Sequence, residues 1–216
     1  AAAVTYASEL PLVLSEIDPV QNAAVALAVS TLGFSETKVW DGKAGGCGDP
    51  DAGALIANTC YPPAVNYDPR YFLINGVSFD QSIPGRSQFA TTGLATGSVL
   101  VRFVNAGLRM HVPSIVGAQT RTPAIPGVAL IAEDGNVLPG VPKVQNEVFL
   151  AAGKTQDVLI NEFAVGAGLN VYDRQLSLST NNRRGGGMMA NINRSVALAS
   201  AVASPGAGLA NNETYF

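Results

Sequence analysis

The chain of 216 residues is 47% hydrophobic and 13% charged, with a net charge of −3, and is long enough to bury roughly 70% of its unfolded surface. Its charged fraction is about half the usual ~25%, without the polar bias of a disordered chain. Lysine and arginine nowhere cluster, which sets nucleic-acid binding aside, and no apolar run approaches the roughly 18 residues of a membrane span. The 23 glycines and 13 prolines suit many short strands and turns better than a helical bundle.

The chain opens AAAVTYASEL, with neither a basic segment nor a long apolar one. It reads either as a mature end left by cleavage after small residues or as a piece of a longer protein. Residues 9–17 (ELPLVLSEI) form an expected first strand, with Leu10, Leu12 and Leu14 on one face. Asp18-Pro19-Val20-Gln21 then signals a helix start, with Asp as cap, Pro at the first helical position and Gln placed for a capping box. The run behind it supports a short helix ending near Gly33.

From residue 38 to residue 70 the sequence is loop-like and too long for an ordinary connection, so it is either functional or stapled. It holds Cys47 and Cys60 in the stretch GGCGDPDAGALIANTC, a 14-residue loop with no C-x-x-C and no nearby histidine. The pair reads as a structural disulfide worth roughly 3 kcal/mol in the chain-entropy picture, which implies an extracellular or periplasmic location. Two unpaired thiols in a reducing compartment are the alternative.

Further strands are expected at 71–75, 98–105, 112–116, 128–132, 147–150, 157–160, 169–173 and 188–192, each bounded by Gly, Pro or Asn. Asp134-Gly135-Asn136 is a turn with a positive φ expected at Gly135, and Ala151-Ala152-Gly153-Lys154 is another. This spacing predicts an all-β sandwich or barrel with Greek-key connections. Residues 197–216 are rich in small residues and read as an arm or linker.

His111 is the only histidine. A blue-copper site takes two histidines and a cysteine thiolate, and a catalytic zinc site usually takes three protein ligands, so neither can be assembled from this chain. A Ser-His-Asp triad would have to use His111, and no G-x-S-x-G elbow accompanies it. His111 therefore stands as a surface or metal-contact candidate, against the simpler reading of an imidazole that satisfies nearby backbone groups.

Asp134, beside Glu133, offers hard oxygens for a divalent cation, against a plain hairpin role. Met188 and Met189 point to opposite faces of any regular strand, which argues for core packing over a soft-metal site. Asp41, Asp49 and Asp51, and the pair Arg183-Arg184, read as solvated loop and turn. Asn193-Arg194-Ser195 and Asn212-Glu213-Thr214 match the glycosylation pattern. No residue is assigned a catalytic role, and none a metal.

Seven segments occur in a telling order: LVLSEIDP, YFLINGVSF, VLVRFVNAGLRMHVPSIVG, ALIAEDGNVLP, LAAGKTQDVLIN, VYDRQLSLST and GGGMMANI. The ordered set resembles the middle, copper-free cupredoxin-like domain of bacterial three-domain multicopper oxidases, nearest the manganese-oxidase-like members, over most of residues 9–196. The resemblance implies an all-β, cupredoxin-like Greek-key β-sandwich; the residues themselves add one short helix and a long disulfide-stapled loop, an insertion unlike the commonest laccases. The chain then divides into an N-terminal arm at 1–8, a cupredoxin-like domain at 9–196 carrying the 38–70 insertion, and a C-terminal arm or linker at 197–216.

The family's copper ligands are His-x-His pairs and a His-Cys-His cluster in the first and last domains, and neither motif is present here. The resemblance therefore implies a non-catalytic scaffold segment of a secreted multicopper oxidase, binding no cofactor itself, with copper on flanking domains or chains. In the R-x-x-N-A-G motif, Asn105 is expected to bond the turn backbone and Gly107 to permit the reversal. A different class of reading is a self-standing structural subunit of an extracellular fibre or surface assembly. Its partners are copies of itself, joined when the terminal arms add as strands to a neighbour.

Overall fold

The computed structural model describes residues 4–37, 44, 67–91, 97–164 and 166–194. Asp41, Cys47, Asp49, Asp51, Cys60, Ser195, the Asn212 sequon and the 197–216 tail lie outside these residues, as do the expected disulfide and most of the 38–70 loop. The described residues divide into two compact units, one built from 4–16 and those from 71 onward, the other from those between 17 and 70.

The first unit follows from two-residue periodicity. Strand β1 (Ser8–Ile17) is followed by β2 (Tyr71–Ile74), β3 (Gln88–Ala90), β4 (Val99–Asn105) and β5 (Pro113–Ile115). Then come β6 (Val128–Glu133), β7 (Thr155–Ile160), β8 (Gly168–Asp173) and β9 (Met189–Asn193). One sheet runs β6-β7-β4-β1-β2, lengthened by two-residue ladders beyond β2 and by short strands paired to β6; a second runs β3-β9-β8-β5.

Leu10, Leu12 and Leu14 on β1, Val99, Val101 and Phe103 on β4, and Val158 and Ile160 on β7 turn inward to meet Phe89, Ile115, Val171, Ala190 and Ile192 from the second sheet. The two sheets thus share one core, and burying a side chain of this size contributes roughly 1.5–3 kcal/mol over leaving it exposed. The alternate residues face out: Arg102 on β4 meets Glu9 on β1 at 3.4 Å. Met188 is fully buried in the core and Met189 is not, as opposite faces require.

β1 and β4 pair in parallel, with Ser8 opposite Val99 and Leu14 opposite Asn105. Ala7 also donates to the Ser98 carbonyl at 2.8 Å, so the residues just ahead of β1 already belong to this chain's own sheet. Between β6 and β7 the register slips at Asp157/Val158, a β-bulge. Asp134 and Gly135 both take positive φ, 48° and 77°, in the hairpin that returns β6 to Asn136–Val137, as a type I′ turn demands.

One expectation is corrected, and one strand was not expected. Residues 147–150 do not form a strand: Leu150 makes an isolated bridge to His111, and Val148 donates to the Pro113 carbonyl at 2.9 Å. Pro113 has no N–H to return that bond, so the ladder stops after one bridge. Strand β3, three residues behind the Pro84–Ser87 turn, carries too little pattern to be read in advance.

In the second unit, helix α1 (Pro19–Ser30) starts as expected, Asp18 accepting hydrogen bonds from the Val20 and Gln21 amides at 2.9 and 3.1 Å. The other Asp18 oxygen accepts from the Asp68 amide at 2.8 Å. Burial alone pushes the Asp18 carboxyl up, but the Asp68, Gln21 and Val20 amides and the Arg70 charge outweigh it, leaving its pKa below the ordinary aspartate value. The helix stops at Ser30, short of Gly33, because Thr31 turns extended (φ −78°, ψ 133°).

Candidate functional site

The geometry that stands apart lies at one end of the sandwich of the first unit, and it starts from Asn105, the last residue of β4. Its amide nitrogen donates to the carbonyls of Arg109 and Leu150 at 2.7 and 3.0 Å, and its oxygen accepts from the Gly107 amide at 2.9 Å. That side chain shapes the 105–109 turn so that the Leu108 and Arg109 amides point together. Both donate to the Glu16 carboxylate near the end of β1, at 3.0 and 2.9 Å.

Gly107 has a different reason from the expected one. It is absent from the positive-φ residues, so the reversal does not need a glycine. A Cβ there would fall 1.9–2.5 Å from the three carboxylate atoms of Glu16. Glycine is required because the carboxylate lies directly against the turn.

His111 follows two residues beyond Arg109 and is held by reciprocal backbone bonds with Leu150, at 3.0 and 2.9 Å. Its side chain is fully buried, with Nε2 2.7 Å from Glu16 Oε1 and Nδ1 3.0 Å from Asp173 Oδ2, and both carboxylate side chains are buried too. Asp173 ends β8, and its second oxygen accepts from the Val112 and Gln175 amides at 2.8 and 3.2 Å. The imidazole therefore lies between a carboxylate from the first sheet and one from the second. It is neither at the surface nor satisfied by backbone groups.

A neutral imidazole has one N–H, and two ionised carboxylates on its two nitrogens require two; the ring fits as imidazolium. Burial alone lowers the His111 pKa, but the hydrogen bonds to Asp173 and Glu16 and the charges of both outweigh it and raise it to about 9. Burial raises Glu16, and the His111 bond, the Arg109 amide, the imidazolium charge and the Leu108 amide bring it below the ordinary value. Asp173 ends low in the same way, through His111, the Val112 amide, Ser177 and the Gln175 amide.

Copper does not fit this cluster. Both ring nitrogens are committed to carboxylates, and they face apart, so Glu16 and Asp173 cannot converge on one ion. Among the described residues no group of three or more His, Cys, Asp or Glu is placed to hold a metal. Asp134 with Glu133 does face a cation, the Lys154 ammonium, at 2.6 and 3.1 Å. Asp134 also accepts from the Thr155 amide at 3.0 Å, tying the β6 hairpin to β7. Arg183 and Arg184 sit in an exposed two-residue strand paired with Ser179–Thr180. Among the described residues no helix is long and apolar enough to cross a membrane.

The Glu16 and Asp173 roles were not foreseen from the sequence. They lie 95 and 62 positions from His111, and the only local signal is a lone acid at the end of each strand.

No protein-family model matches the chain, and no curated protein matches it. Solved structures do. The blue copper oxidase from Nitrosomonas europaea aligns with 87% of this chain at TM-score 0.52 and 17% identity, and the multicopper oxidase mgLAC with 87% at TM-score 0.53 and 17% identity. A mutant laccase from B. aclada aligns with 93% at TM-score 0.50 and 17% identity. The chain spans 44% of the first two proteins and 32% of the third. What is shared is the fold, a cupredoxin-like sandwich that is mostly β-sheet with one helix among the described residues.

Proposed function

We propose that the chain is a copper-free, cupredoxin-like scaffold domain of a secreted multicopper oxidase, akin to the middle domain of the manganese-oxidase-like members, with the copper centres on flanking domains or chains. One observation carries the reading: in a fold shared with copper oxidases, the only histidine is fixed by two carboxylates as a structural cation. The sandwich is kept while the ligand chemistry is gone, which suits a domain that positions others. The ordered sequence segments and the greater length of the similar structures support it.

The fibre reading draws less support. The residues just ahead of β1 pair within this chain's own sheet, and both edges of the second sheet, β3 and β5, are three residues long. Edges that short discourage strand addition.

Intact mass and copper content of the polypeptide purified from its source test the proposal. The expected result is a mass well above the 22.2 kDa of this chain, with bound copper. A copper-free polypeptide of 22.2 kDa would overturn it, and assembly of that polypeptide through its termini would establish the fibre reading instead.

A further inference from the structure

We propose that Glu16, His111 and Asp173 form a proton-controlled latch across the two sheets, closed only while the imidazole carries both protons and both acids are ionised. The geometry supplies each part. Glu16 belongs to β1 of the first sheet and Asp173 to β8 of the second. His111 belongs to neither and is fastened by backbone only to Leu150, in an isolated bridge. Backbone pairing ties the residues after His111 to β8, with Pro113 opposite Asp173 and Arg174 donating to the Val112 carbonyl at 2.9 Å; through the side-chain cluster, Glu16 of β1 is joined to them at this end of the core.

Two changes of charge open it. Loss of a proton from His111 leaves one carboxylate facing a ring lone pair, with no water to screen the repulsion. Gain of a proton by either acid removes an acceptor that a buried N–H requires. Glu16 also gathers the Leu108 and Arg109 amides, and Asp173 the Val112 and Gln175 amides, so release of either acid frees the turn beside it.

Among the other charged groups nearby, Arg174 pairs with Glu147 at 3.1 Å and Lys154 with Asp134 and Glu133, while Arg109 lies beside Glu16, to which its backbone amide donates at 2.9 Å. The closed state thus depends on the three buried groups.

Because His111 is the only histidine, its ring nitrogen resonances identify themselves in an isotope-labelled sample of the full chain. They are followed by NMR from pH 5 to pH 10, together with amide hydrogen exchange corrected for intrinsic rates. The expected result is a doubly protonated ring at pH 7 that loses a proton near pH 9. Over the same interval, protection at Leu108, Arg109, His111, Val112 and Leu150 falls by about tenfold or more while Val171 and Ile192 keep theirs.

Glu16→Gln should show the lowered protection at Leu108 and Arg109 already at pH 7. A singly protonated ring at pH 7 would overturn the proposal. So would a ring that titrates while the five amides stay protected. Both readings come from the unaltered protein, so the test stands even if the variant does not fold.

Discussion

The first unit contains two clusters of the same composition, one cation between two carboxylates. Lys154 with Glu133 and Asp134 sits at a hairpin with its side chains 40–42% exposed, whereas His111 with Glu16 and Asp173 is fully enclosed. Water and salt already stabilise the first set of charges, so the ion pairs there add little. In the second, nothing but the protein solvates the charges, so every N–H and oxygen needs a partner inside the fold. Equal charge arithmetic thus produces an ornament in one place and a structural joint in the other.

The largest expected effect sharpens this contrast. His111→Gln leaves two buried carboxylates without their cation, and loss of a partner from a buried ion pair costs about 3–5 kcal/mol. Asp173→Asn should cost less, because the remaining imidazolium and Glu16 still balance. Urea unfolding of both variants measures the order; an Asp173→Asn loss exceeding that of His111→Gln would place the joint's weight on Asp173 instead.

Next comes pH. His111 is raised, so its contribution is complete below the ordinary imidazole value of 6.5 and is lost as pH climbs through about 9. Glu16 and Asp173 are lowered, so theirs is complete above the ordinary values of 4.5 and 3.8 and is lost as pH falls through their depressed values. The urea midpoint should therefore be highest between about pH 4.5 and 6.5 and decline on both sides. In His111→Gln the decline on the alkaline side should disappear.

Gly107→Ala should destabilise by about 1–3 kcal/mol through overlap with the Glu16 carboxylate, read in the same urea assay. It should also reduce the alkaline sensitivity, since a displaced Glu16 no longer holds the imidazole. At the exposed cluster, Lys154→Met should leave the urea midpoint unchanged within error, and a change that vanishes in 1 M salt would still mark the pair as surface electrostatics. A salt-resistant loss at Lys154 would break the comparison.

What could be read in advance follows the range of the interaction. The Asp18-Pro19 cap, the Asp134-Gly135 turn and the alternating leucines of β1 each depend on neighbours within a few residues, and each stands in the structure as expected. Asn105 was expected to bond its turn and does, but its reach to Leu150 was not visible. The over-read segment at 147–150 shows the converse. Its own residues suit a strand, and it fails because Pro113, distant in sequence, lacks a donor. The His111 cluster lies furthest from local reading, since it requires knowing that the ends of β1 and β8 meet around one side chain.

The parallel pairing of β1 with β4 has a consequence for synthesis. Ser8 meets Val99, so β1 must wait for about ninety further residues before its partner leaves the ribosome, on the order of 10 s at ordinary elongation rates. Until then β1 has only the four-residue β2 beside it in the sheet, and Leu10, Leu12 and Leu14 lack most of the core that covers them. Within this sheet, a strand near the middle is thus made before all the others and waits for its parallel partner, a natural client for a holding chaperone.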